Sequence, residues 1–105
     1  MSTYFVFRFG RKVPANSLSE AREKVEPILD MCDHPCKYSP FRFSARYSTF
    51  KEKGVLYSFF FYAKNGELGI LKHAASIFNV MDACGCELHD IFVTDEANLP
   101  AHSIF

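Results

Sequence analysis

At 105 residues the chain has the length of one domain, spanning 1–105, and folding should bury roughly two thirds of the surface its unfolded form exposes. A content of 49% hydrophobic and 16% aromatic residues, with twelve Phe and no Trp, excludes a chain too polar to collapse. Twelve basic and twelve acidic side chains cancel, so there is no global field to draw the chain to nucleic acid or an anionic membrane.

The first strand is expected over residues 3–9, where Phe5, Phe7 and Phe9 alternate with Tyr4, Val6 and Arg8. Gly10 ends it. Ser17 followed by Glu20 is a capping box, and Leu18, Ala21, Val25, Ile28, Leu29 and Cys32 then recur at helical spacing, predicting a helix to about His34. Pro27 inside that pattern removes the hydrogen bond to the Glu23 carbonyl and predicts a kink or break.

A loop bracketed by Pro35 and Pro40 leads to a half-exposed strand in which Phe41, Phe43, Ala45 and Tyr47 alternate with Arg42, Ser44, Arg46 and Ser48. Residues 51–54, Lys-Glu-Lys-Gly, read as a hairpin turn into a strand over 55–63 that is apolar on both faces and therefore central. After Asn65-Gly66, a second amphipathic helix is built from Leu68, Leu71, Ala74, Ala75, Phe78 and Met81, with Gly85 as its C-terminal cap. Residues 86–94 form the last strand. The tail from 96 is either loose or tucks Ile104 and Phe105 against another surface.

Strand, helix, hairpin, helix, strand is the order of an α+β, ferredoxin-like βαββαβ sandwich, with a four-stranded antiparallel sheet in the order 4-1-3-2 and two helices on one face. Alternation then assigns Phe5, Phe7, Phe9, Phe41, Phe43, Tyr47, Tyr57, Phe59, Phe61, Ile91 and Val93 to the helix side. The helix-free side receives Tyr4, Val6, Arg8, Arg42, Arg46, Leu56, Phe60, Tyr62, Leu88 and Phe92, together with Ser44, Ser58 and Asp90. An aromatic patch edged by arginines marks an interface on a soluble protein. The expected occupant is another protein or a second copy of the chain, making this a non-enzymatic interaction module, as adaptor, inhibitor or homodimer.

Single-stranded RNA is an alternative occupant, since RNA-recognition domains stack bases on this face. Residues 53–59, Lys-Gly-Val-Leu-Tyr-Ser-Phe, resemble the start of the third-strand motif of such domains, but Val55 stands where the first stacking aromatic belongs. A third reading follows from size and element order, which resemble the acylphosphatases. That resemblance implies a small phosphate-handling enzyme that binds its anion after the first strand. Here Gly10-Arg11-Lys12-Val13-Pro14-Ala15-Asn16 is basic without their glycine-rich pattern.

Cys32, His34 and Cys36, and Cys84, Cys86 and His89, are two candidate metal or redox groups, but neither has a standard spacing. In the expected fold they lie at opposite edges of the sheet and do not meet, so the cysteines read as packing residues and neither a metal nor a cofactor is called for. The longest apolar stretches, residues 4–7 and 59–63, are far short of the roughly 20 residues that span a bilayer. Arg8, Arg11 and Lys12 follow the first apolar stretch instead of preceding it, unlike a signal peptide. A cytoplasmic address with reduced thiols is expected.

Overall fold

The computed structural model describes residues 3–49 and 54–99. Its elements are β1 (Thr3–Val13), α1 (Leu18–Cys36), β2 (Arg42–Thr49), β3 (Val55–Lys64), α2 (Ile70–Ala83), β4 (Glu87–Asp95) and a 3-10 turn (Glu96–Asn98). The sheet is antiparallel throughout in the order β2-β3-β1-β4, the predicted order read from the other edge. This is the expected α+β ferredoxin-like arrangement. The hairpin turn lies outside the described residues except for Gly54, and so does the chain beyond Leu99.

α1 begins at the predicted pair: Ser17 Oγ accepts from the Glu20 amide at 3.1 Å, and the Glu20 carboxylate reaches one residue past the N-cap to accept from the Asn16 amide at 3.0 Å. The Asn16 amide and Lys24 hold the Glu20 carboxyl below its ordinary pKa. The predicted break at Pro27 does not occur. One helix passes through both Pro27 and Pro35 to Cys36, because Pro27 lies on an exposed face where the freed Glu23 carbonyl meets water. Ala21, Val25, Ile28 and Cys32 are its buried stripe.

α2 ends in a Schellman motif, with Gly85 at φ 70°, its amide on the Asp82 carbonyl and the Cys86 amide on the Met81 carbonyl. Its buried stripe matches the expected one at Ala74, Phe78 and Met81 and adds Ile70 and Ile77, whereas Leu68, Leu71 and Ala75 are exposed. The segment carries two overlapping apolar stripes about a hundred degrees apart, and periodicity alone does not choose between them.

Between helices and sheet the core is largely aromatic. Phe7, Phe9, Tyr57, Phe59 and Phe61 are buried with Val25, Ile28, Ile77 and Met81, and Phe78 packs on both Phe7 and Phe9 at ring separations of 5.3 and 5.5 Å. Interlocked rings of this kind fill the space between the helices and the sheet.

Candidate functional site: the helix-free sheet face

Cross-strand partners share a face, so the register lays out the helix-free side as rows. One row runs Arg42, Tyr62, Val6, Phe92, and the next Ser44, Phe60, Arg8, Asp90. Val6, Phe60 and Tyr62 form a second apolar cluster, with Tyr4, Phe92 and Leu99 packed against it. Tyr4 meets Tyr62 edge to face at 6.4 Å, and the Arg46 guanidinium lies over the Phe60 ring at 5.6 Å. Arg8 is tied to Asp90 by two 2.9 Å hydrogen bonds in a fork-to-fork pair.

Six of the ten predicted surface residues therefore meet in one place, namely Tyr4, Val6, Arg46, Phe60, Tyr62 and Phe92. Arg8 and Arg42 flank them in the same rows. Leu56 stays on this face but further along it, opposite Lys12, where it lines a shallow cavity of about 340 Å³ with Gly10, Arg11, Gly85, Glu87 and His89.

Leu88 is the exception, and its placement corrects the alternation. A bulge between Arg8 and Phe9 sets Asp90 opposite Arg8 but Leu88 opposite Phe9, which belongs to the helix-side core. One extra residue, His89, moves Leu88 to the other face. His89 instead lies over Gly10, where a Cβ would come 2.1 Å from its Cε1.

The patch is also less open than alternation implies. Val6 is fully buried, and Phe60 and Tyr62 are only 8% and 6% exposed, because neighbouring rings, arginine stems and Leu99 cover one another. Arg42 and Arg46 are the exposed members, with Tyr4, Arg8 and Phe92 half-buried. Leu99 was not legible as a member: it follows a turn capped by Asp95, whose Oδ1 accepts from the Asn98 amide at 3.1 Å, and only that turn brings it under the sheet.

The two cysteine groups approach each other, contrary to expectation. Cys84 Sγ lies 3.6 Å from Met31 Sδ, and Cys84, Cys86 and Cys36 all act electrostatically on Cys32. The helices pack on one another, so the end of α2 reaches Met31 and Cys32, which precede the end of α1 by more than a turn. All four thiols are free, and burial pushes each one up, Cys36 to about 12 and Cys86 to about 11. Protonated, enclosed thiols are poor nucleophiles and poor ligands. Among the described residues no three His, Cys, Asp or Glu side chains converge as metal ligands.

The basic stretch after the first strand is also placed differently from an anion loop. Gly10 to Val13 belong to β1, and the Arg11 guanidinium donates to the Cys84 carbonyl at the C-terminal end of α2, where a cation complements the helix dipole. Tyr57, within the stretch that resembles the RNA-recognition motif, is buried on the helix side, away from the face on which such domains stack bases.

No family model matches the chain, and no curated protein sequence matches it significantly. Among solved structures, the de novo designed protein Foldit4 is 10% identical with a TM-score of 0.49, covering 91% of this chain and 99% of its own. The designed protein Ferredog-Diesel is 11% identical with a TM-score of 0.35, covering 90% and 85%. An amidase of the hydantoinase/carbamoylase family from Burkholderia multivorans is 12% identical with a TM-score of 0.33, covering 89% of this chain and 26% of that one. At these scores none of the three bears on function. No helix among the described residues is long and apolar enough to cross a membrane.

Proposed function

We propose that the chain is a non-enzymatic protein–protein interaction module, an adaptor or inhibitor, that holds another protein on the helix-free sheet face. The observation that carries this reading is the cluster of Tyr4, Phe60, Tyr62 and Phe92 bordered by the exposed Arg42 and Arg46, one of them stacked on Phe60. Tyr, Phe and Arg dominate the centres of protein interfaces. Because the rings already pack on one another, the platform is pre-organised, and binding would order little beyond the arginine side chains. Four free cysteines suit a reducing compartment, which supports a cytoplasmic address.

The test is recovery of bound protein on the immobilised chain and on an Arg42→Glu/Arg46→Glu variant. A protein retained by the parent and lost by the variant supports the reading. Identical recoveries contradict it, and a bound fraction that is nuclease-sensitive and weakens steeply with salt would assign the face to RNA instead.

A further inference from the structure

On the helix side, the layer of helices stops short of β4. Phe78 of α2 sits over Phe7 and Phe9 of β1, yet the β4 residues beside Phe9, Phe7 and Phe5, namely Leu88, Ile91 and Val93, are 44%, 50% and 52% exposed. Beyond Phe78, away from the buried stripe of α2, helical spacing places Leu71 and Ala75, both exposed. An apolar shelf therefore runs along β4 with an apolar helix flank above it.

β4 is also an edge, since among the described residues its one neighbour in the sheet is β1. Natural edges are commonly blunted by charge or a bulge. The opposite edge, β2, carries Arg42 and Arg46, and β4 has its bulge at His89, but the stretch Ile91-Phe92-Val93-Thr94 beyond the bulge has neither.

We propose that β4 is a self-pairing edge, at which two copies join antiparallel about a two-fold axis through Phe92 to make one eight-stranded sheet. The charge pattern of β4 selects this register. With the axis at Phe92, Ile91 meets Val93 of the second copy on the helix side, Phe92 meets Phe92, and Asp90 meets Thr94, whose hydroxyl can donate to it. His89, at the bulge, comes beside Asp95 of the second copy. An axis at Ile91 would set Asp90 against Phe92, and one at Val93 would set Ile91 against Asp95 and Asp90 against Glu96. Only the Phe92 register puts apolar on apolar and avoids like charges. It also brings the two α2 flanks together over the joined shelves, covering Leu71 and Ala75, in the isologous contact that a two-fold requires.

This edge shares Phe92 and Asp90 with the helix-free face but not Arg42 and Arg46 of β2, so variants at Val93 and at the two arginines tell the two readings apart. Light scattering across a dilution series should give twice the 12.0 kDa chain mass, with Val93→Lys raising the dissociation constant at least tenfold and Arg42→Glu/Arg46→Glu leaving it unchanged. Because Val93 is half-exposed, the Val93→Lys chain should keep its circular dichroism and melting temperature. Oxidation of a Phe92→Cys chain should link two copies through that position, whereas Thr94→Cys, about 13 Å from its own copy in this register, should not. A parent that stays at 12.0 kDa at every concentration overturns the proposal. So does a Val93→Lys chain that remains as dimeric as the parent, or cross-linking through Thr94→Cys in preference to Phe92→Cys.

Discussion

His89 lies over Gly10 at the β1–β4 bulge, with its Cε1 2.1 Å from where a Cβ on Gly10 would sit. The glycine leaves bare backbone in the middle of a central strand, and the imidazole covers it, an arrangement that offsets the weakness of glycine in a sheet. His89→Ala should therefore cost about 0.5–1 kcal/mol in the parent but close to nothing in a Gly10→Ala chain, where the methyl already excludes the ring. Urea unfolding of the four chains of that cycle measures the coupling, and equal costs in both backgrounds would mean that the contact contributes nothing.

Phe60 and Arg46 touch, yet their substitutions should behave oppositely. Phe60 is 8% exposed within the Val6 and Tyr62 cluster, so Phe60→Glu places a carboxylate among rings and should destabilise the fold by about 3 kcal/mol or more. Arg46→Glu changes an exposed side chain and should move stability by less than about 1 kcal/mol. Thermal melts of the two variants decide whether the aromatic cluster is a structural floor with arginines as its accessible rim.

The Arg8–Asp90 pair is well formed but about 40% exposed on both sides. Its removal in Asp90→Asn should cost about 0.5–1 kcal/mol at low ionic strength, a cost that shrinks as salt is added. A salt-independent loss would point to a packing role.

The thiols give a pH dependence of known sign. Each cysteine ionises less readily in the fold than in the unfolded chain, whose thiols titrate near 9.0, so the unfolded state loses protons first as pH rises. Their contribution to stability is complete below pH 9 and falls away between there and about 11 to 12, the folded-state values for Cys86 and Cys36. Denaturation midpoints should be flat in this respect from pH 7 to 8.5 and decline above 9. Slow reaction of the native chain with a thiol reagent at pH 8, and fast reaction of all four cysteines in denaturant, is the companion result; four rapidly reacting thiols in the native chain would contradict it.

Ser17→Ala removes the acceptor for the Glu20 amide and should cost about 1 kcal/mol, read from the urea midpoint.

Features set by neighbouring residues were legible before any coordinates. The Ser17 and Glu20 box, the alternation of β1 and β2, the two-faced apolar run of β3, and Gly85 as a cap each depend on a few adjacent positions, and together they determine element order and sheet order. What escaped depends on partners distant in the chain. Alternation carries no sign of the extra residue His89, so Leu88 was assigned to the wrong face. That Ile70 and Ile77 turn inward while Leu71 and Ala75 stay exposed depends on how α2 seats on the sheet and on α1. The burial of Phe60 and Tyr62 without a helix above them depends on Tyr4, Arg46 and Leu99 converging from three parts of the chain, and the meeting of Met31 with Cys84 depends on how the two helices pack.

The most direct test of the interaction reading is the affinity of the protein recovered on the parent chain, measured by calorimetry at fixed salt against the parent, Arg42→Glu/Arg46→Glu and Val93→Lys. The double variant should weaken binding at least tenfold, a loss of about 1.4 kcal/mol or more, while Val93→Lys binds as the parent does. Equal affinity for the parent and the double variant would contradict it.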